Sequence, residues 1–239
     1  MMKKLINIEY LKWDSGFFGF KTGKIVIYEV EDSNFLNLIY AKAKEEEYNL
    51  LYIFTSENLI SEINIGNLVD TKTVLIKNIE KEDVKSCALE IVSYRKNELD
   101  NDLLNLALQS GEFSRFKVDC NFKKGTFENL YKLWIEKSIY REIASEVFVY
   151  LEKDAPIGFI TIQINGSTAD IGLFAVNVNE RNKAIGKKLL VKAEEYCKEN
   201  FVKNIRVVTQ RNNISAMNFY QKNGFKLVQN ENIYHKWLK

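Results

Sequence analysis

The chain has 239 residues, 46% hydrophobic and 13% aromatic, and 34 basic side chains nearly cancel 32 acidic ones to leave +2. That length suits one large domain or two small ones, and the apolar content excludes a disordered chain. The charge balance excludes a polyelectrolyte built for nucleic acid, and no stretch approaches the ~18 apolar residues of a membrane span.

Two lysines near the start run straight into Glu9 and Trp13 with no apolar stretch between, so no signal peptide is read there. Cys87, Cys120 and Cys197 are odd in number and widely spaced, a pattern that fits neither a metal site nor a disulfide framework. These features predict a cytoplasmic protein with no nucleic-acid or membrane partner.

In chain order, strands are expected at Lys24–Tyr28 and Leu50–Phe54. Between them, Ser33–Glu47 has helical spacing with Phe35, Leu38, Ile39 and Ala43 on one face. A short strand at Thr73–Lys77 leads to the charged run Glu80–Lys85, the expected seam between residues 1–86 and 87–239. There follow a strand (Ile91–Tyr94), a helix (Leu99–Gln109), a loop holding Ser114, Arg115 and Phe116, and a helix (Phe127–Ser138). Strands at Ala144–Leu151, Ile157–Ile164 and Thr168–Val178 come next. Asn165-Gly166 predicts a type I′ hairpin between the last two, because both residues tolerate positive φ. A helix (Gly186–Glu199), a strand (Ile205–Thr209), a helix (Ile214–Asn223) and a strand pair (Phe225–Gln229, Ile233–Leu238) complete an α/β chain with a mixed, largely antiparallel sheet.

The segment Ile171–Leu190 reads IGLFAVNVNERNKAIGKKLL. An apolar strand runs into a polar turn, and an amphipathic helix starts at Gly186. Small residues there allow close approach of a ligand, and the N–H groups of the first helical turn favour an anion. Lys183, Lys187 and Lys188 add positive charge. The segment reads as a phosphate or pyrophosphate cradle, or as an ordinary strand–turn–helix connection with a solvated basic face. Further on, Asn213–Phe225 reads NISAMNFYQKNGF. Asn213 suits a helix N-cap, Ala216 and Tyr220 share a face, and Gly224 suits the C′ position.

Arg181-Asn182-Lys183-Ala184-Ile185-Gly186 resembles the Q/R-x-x-G-x-G/A signature of the GNAT acetyltransferases. Asn213–Phe225 resembles that family's later N-x-x-A-x-x-x-Y motif followed by G-F. The resemblance implies a GNAT fold over 87–239, a mixed, mainly antiparallel sheet flanked by helices, with a smaller N-terminal α/β half-domain over 1–86. It implies acetyl-CoA as co-substrate and no metal. Arg181 to Lys187 would grip the coenzyme pyrophosphate, and Asn213 would contact the pantetheine arm. The backbone of a distorted strand at Phe174, Ala175 and Val176 would hold that arm and polarise the carbonyl. Tyr220 would be the general acid. Ala184 stands where the family usually has glycine, which is mild at negative φ and awkward at positive φ.

The base is open: Glu112, Asp119 and Glu146 are candidates by region, as is a water chain. His235, the sole histidine, reads as a packed or exposed strand residue. For the acceptor, Leu11-Lys-Trp-Asp-Ser-Gly-Phe-Phe-Gly19, Ser114-Arg115-Phe116 with Asp119, and Leu130–Ser138 resemble the bacterial sugar-nucleotide acetyltransferases that N-acetylate dTDP-4-amino-4,6-dideoxygalactose. That resemblance implies a nucleotide-linked amino sugar as small-molecule substrate. Arg115 would pair the diphosphate, and Phe116 or Trp134 would stack on a ring. Trp134 equally suits core packing, Arg115 a surface ion pair, and Trp13, Phe17, Phe18 and Phe20 a packed turn. A protein or metabolite amine as acceptor, and a non-catalytic coenzyme A-binding module, are the competing readings. The final strands of this fold often pair across subunits, which admits a homodimer.

Overall fold

The computed structural model describes residues 6–28, 33–57, 65–79, 90–96 and 98–238; the expected seam Glu80–Lys85 lies outside the described residues. The chain forms two compact units. One comprises Met1–Thr73, Gln210–Asn212 and Gln229–Lys239, and the other Val74–Thr209 and Asn213–Val228.

The first unit contains β1 (Glu9–Tyr10), α1 (Lys12–Phe18), β2 (Thr22–Ile27), α2 (Ser33–Glu45) and β3 (Leu50–Ser56), with parts of β4 (Asn67–Asn78) and of the last strand, Lys226–Trp237. β2 and β3 run parallel across the α2 crossover. On α2, Leu36, Ile39 and Ala43 fill the core beside Ile25, Leu51 and Ile53. Leu36 therefore takes the place expected for Leu38, which is 60% exposed. Spacing of three then four residues keeps 36, 39 and 43 on one stripe.

The aromatic segment after Leu11 is a short helix closed by Gly19 at φ 75, rather than a bare turn. Its rings pack on one another and on the last strand: Trp13 stacks on Phe17 at 5.4 Å, Phe18 on Phe20 at 5.6 Å, and Phe20 meets Trp237 at 5.4 Å.

The expected final strand pair is one continuous strand, Lys226–Trp237. The polar run Gln229–Asn232 reads locally as a turn. Its side chains are instead bonded in the sheet: Asn230 to Thr73 at 2.9 Å, Glu231 to Lys72 at 2.8 Å and Asn232 to Thr71 at 2.9 Å. Cross-strand pairing outweighs local propensity here. His235 lies in this strand, buried and stacked on Tyr52 at 4.8 Å, as the packed reading expects.

The second unit holds β5 (Ile91–Ser93), α3 (Asn101–Ser110), α4 (Arg115–Val118), α5 (Thr126–Ile139), β6 (Glu146–Glu152), β7 (Ala155–Asn165) and β8 (Thr168–Val176). α6 (Ile185–Glu199), β9 (Asn204–Gln210), α7 (Ile214–Lys222) and the start of β10 (Lys226–Trp237) follow. Strand order runs β4-β9-β8-β7-β6-β5, with β8 and β9 parallel and β5 to β8 antiparallel.

Alternation along the strands makes two cores. Phe148, Ile160 and Ile162 pack with Ile185, Leu189 and Ala193 of α6 and with Tyr220 of α7. Val147, Val149 and Phe159 pack with Leu103 and Leu106 of α3 and Ile135 of α5. The sheet is thus flanked by helices on both faces.

The β7–β8 hairpin has Gly166 and Ser167 as its two loop residues, since Asn165 pairs with Thr168. Gly166 has φ 60, whereas Asn165 and Ser167 are absent from the positive-φ residues. Glycine first with one left-handed residue is the type II′ pattern, not the I′ expected from Asn-Gly.

Candidate active site

The cradle segment turns through two left-handed residues, Asn182 (φ 66) and Ala184 (φ 61, ψ 7), before α6 begins at Ile185. Arg181, Asn182, Lys183 and Ala184 are all exposed, Ile185 buries its side chain in the core, and Lys187 is exposed. Ala184 is the N-cap and has no side chain to accept a hydrogen bond, so no cap side chain occupies the first N–H groups of this 15-residue helix. The first turn holds no acidic residue. The dipole of such a helix places about half a positive charge at this end.

The lysines divide the work. Lys183 bonds Glu180 at 2.7 Å, which raises its pKa, and Lys188 lies 3.4 Å from the Tyr150 hydroxyl. Arg181 Nε donates to the Val176 carbonyl at 3.2 Å, tying the turn back to the strand that feeds it. An anionic coenzyme moiety fits this turn: backbone donors with no competing cap, and no carboxylate in the first helical turn.

The strand before the cradle is distorted two residues earlier than the Phe174–Val176 expected. The register of β7 with β8 shifts between Ile160 and Ile162, where Gly172 and Leu173 together oppose Thr161. This is a β-bulge. Pairing of β8 with β9 runs from Thr168–Asn204 to Ile171–Val207, ending where the bulge starts. Beyond it, Asn177 donates to the Ile157 carbonyl on the β7 side. By antiparallel alternation Ala175 also faces β7, while Phe174 and Val176 turn their backbone groups to the opposite edge.

Asn213 caps α7, its side-chain oxygen accepting from Ala216 N–H at 3.1 Å. Gly224 closes the helix at φ 87, and Phe225 N–H bonds the Tyr220 carbonyl at 3.0 Å. Between these ends Tyr220 is buried among Phe219, Phe225 and Phe174 at ring separations of 5.3, 5.2 and 6.3 Å. Burial pushes its phenol above the ordinary tyrosine value, so it stays protonated.

Gly186 joins these parts. A Cβ there would meet Phe219 at 3.3 Å and Phe174 at 3.6 Å, so the first turn of α6, the end of β8 and α7 converge. Phe219 is not one of the fixed residues of either sequence motif, and its only local signal is its place one residue before Tyr220.

Arg115, Phe116 and Trp134 gather in a second cluster. The Arg115 guanidinium sits 4.7 Å over the Phe116 ring, which meets Trp134 edge-on at 6.1 Å. Phe116 is buried, whereas Arg115 and Trp134 are half-buried. Residues 113–118 are not simply loop, because Ser114 caps the short helix α4. Ile135, next to Trp134, belongs to the same core as Ala175 of β8.

Among the candidate bases, Glu112 is exposed and bonds Lys117 at 2.6 Å. Asp119 is buried and accepts from Asn121. Glu146 is buried and held by Arg95 at 2.8 Å and by Arg141. Each of its carboxylate oxygens is thus engaged by a guanidinium.

Residues 113–225 match the model of the acetyltransferase (GNAT) family. That match takes in just under half of the chain. The cradle, the β8 bulge, Asn213, Tyr220 and the Arg115–Phe116–Trp134 cluster lie in this matched segment and in the second compact unit, whose helix-flanked mixed sheet is the GNAT fold. Over 105 residues the chain is 35% identical to streptothricin acetyltransferase A of Bacillus subtilis, covering 44% of this chain and 61% of that protein. Over 71 residues it is 35% identical to spermidine N(1)-acetyltransferase of Thermoplasma acidophilum, covering 30% and 44%. The chain spans 29% to 61% of the length of the curated relatives it matches. A functionally unknown conserved protein of Staphylococcus epidermidis shares the fold with TM-score 0.63 at 10% identity, covering 99% of this chain and 93% of that one.

Proposed function

We propose that the protein transfers an acetyl group from acetyl-CoA to a primary amine of a small molecule, by direct attack with both substrates bound. Acetyl-CoA supplies the thioester carbonyl that the amine attacks and the thiolate that must be protonated. The observation that carries this reading is Tyr220. A phenol that is protonated at neutral pH, packed against Phe174 of β8, is a proton donor. The N–H groups from Asn182 to Lys187 hold the pyrophosphate, with Lys187 adding charge. Phe174 and Val176 offer backbone groups to the pantetheine arm and the carbonyl, as electrostatic stabilisation requires. Asn213 orients the start of α7 and thereby the Tyr220 ring.

For the acceptor we infer a nucleotide-linked 4-amino-4,6-dideoxyhexose. The Arg115 guanidinium lies over the Phe116 ring, which meets Trp134, and Lys123 and Lys124 follow within ten residues of sequence. A half-buried guanidinium beside an aromatic cluster suits an anionic nucleotide diphosphate, which Arg115 would pair. The second reading is a cationic amine, favoured by the two relatives named for spermidine and streptothricin.

The test is thiol release from acetyl-CoA with a panel of acceptors: dTDP- and UDP-linked 4-amino-4,6-dideoxyhexoses, spermidine, streptothricin and an amine-bearing peptide. Turnover on a sugar nucleotide supports the first reading. Turnover confined to spermidine or streptothricin replaces it with the second, and coenzyme A binding without any turnover removes catalysis altogether.

A further inference from the structure

The bulge in β8 is held by a side chain with no other assigned role. Thr161 of β7 is 2% exposed, and its Oγ1 accepts the Leu173 N–H at 2.8 Å. At a bulge the extra residue loses its ladder partner, and the N–H of half-buried Leu173 needs another acceptor. The Thr161 hydroxyl supplies the missing acceptor. Opposite it, a Cβ on Gly172 would stand 2.7 Å from that same Oγ1, closer than real Cβ contacts come. Hydroxyl and missing side chain thus make one latch.

The consequence lies downstream. In a strand each extra residue reverses which face the following side chains take. Ile171 faces the α6 side of the sheet. Because two residues, 172 and 173, oppose one, Phe174 and Val176 again pack on the α6 side, while Leu173 and Ala175 pack with the α3 core. Without the bulge, Phe174 would fall on the α3 face, away from Gly186, Phe219 and Tyr220.

We propose that Thr161 is the positioning residue of the acyl-binding strand, acting through Leu173 N–H to aim Phe174 and Val176 at the coenzyme. This rests on the acetyl-transfer reading above.

The experiment compares Thr161→Val, which keeps shape and removes the acceptor, with Thr161→Ser, which keeps the hydroxyl. Gly172→Ala strikes the latch from the opposite strand and serves alone if Thr161→Val does not fold. Coenzyme A affinity by calorimetry, kcat and KM for acetyl-CoA, the melting temperature and Leu173 amide exchange are measured for each. The expected result is faster Leu173 exchange and about tenfold or greater loss of coenzyme A affinity and of kcat/KM in Thr161→Val and Gly172→Ala, with Thr161→Ser within about twofold of wild type. Loss of melting temperature alone, with affinity and kcat/KM unchanged, overturns the proposal, and so does equal loss in the Val and Ser variants. A wild type that binds coenzyme A yet transfers no acetyl group overturns the catalytic reading instead, and the affinities then decide the role of Thr161.

Discussion

Replacing Ala184 by glycine should leave the fold intact and raise stability slightly. Ala184 sits at φ 61, ψ 7 as the cap of α6. A Cβ in this left-handed region costs roughly 1–2 kcal/mol against the following carbonyl, a cost glycine does not carry. Opposing this, glycine adds unfolded-state freedom worth about 0.4–1 kcal/mol. The alanine is exposed, so truncating its methyl removes little buried apolar area. The balance is a gain of about 0–1.6 kcal/mol.

For a chain of this size, 1 kcal/mol shifts the midpoint by about 2–4 °C. Thermal melts and urea titrations at matched concentration read both quantities. Coenzyme A affinity, measured alongside, should stay equal or tighten, because the N–H groups are already held in place. A loss of about 1 kcal/mol or more would refute the reasoning. It would mean that the turn is held by contacts of the methyl group rather than strained by it.

Tyr220→Phe should lower turnover by about 10²–10⁴-fold while coenzyme A affinity stays nearly constant, and unchanged turnover in a thiol-release assay would remove the general-acid role. Gly186→Glu should abolish coenzyme A binding by calorimetry, since it adds bulk beside Phe219 and a negative charge at the helix start; tight binding would sink the cradle. Glu146→Gln should cost roughly 2–4 kcal/mol in denaturant melts by leaving Arg141 uncompensated, and a neutral result would show that the Arg95–Glu146–Arg141 cluster is not structural. Tyr40 and Tyr94 are pushed by burial from 10.0 to about 12. Their folded pKa values exceed the unfolded ones, so the associated stability is fully present below pH 10 and lost as pH rises through about 12. Urea midpoints that hold constant from pH 9 to pH 12 would contradict this.

The parts of the site that can be read from sequence are those whose chemistry is local. A helix start that must expose N–H groups needs small residues beside it, and Ala184 and Gly186 are adjacent in the chain to the turn they serve. Asn213, Tyr220 and Gly224 are a cap, a face and a stop within one helix, each set by spacing alone.

What stayed hidden depends on partners far along the chain. Nothing local marks Ala184 as left-handed, because alanine normally avoids that region. The polar run Gln229–Asn232 looks like a turn until Thr71, Lys72 and Thr73, more than 150 residues away, are seen to bond it. Glu146 reads as a candidate base until Arg95 closes on it from 51 residues upstream. The bulge sits between these cases. A lone glycine inside a strand is a known sign of one, and Gly172 was visible. Its acceptor, Thr161, belongs to the neighbouring strand and is recognisable only once β7 and β8 are in register. The residue that aims the acyl-binding strand thus lies outside both sequence motifs, so substitutions scanned within the motifs alone would miss it.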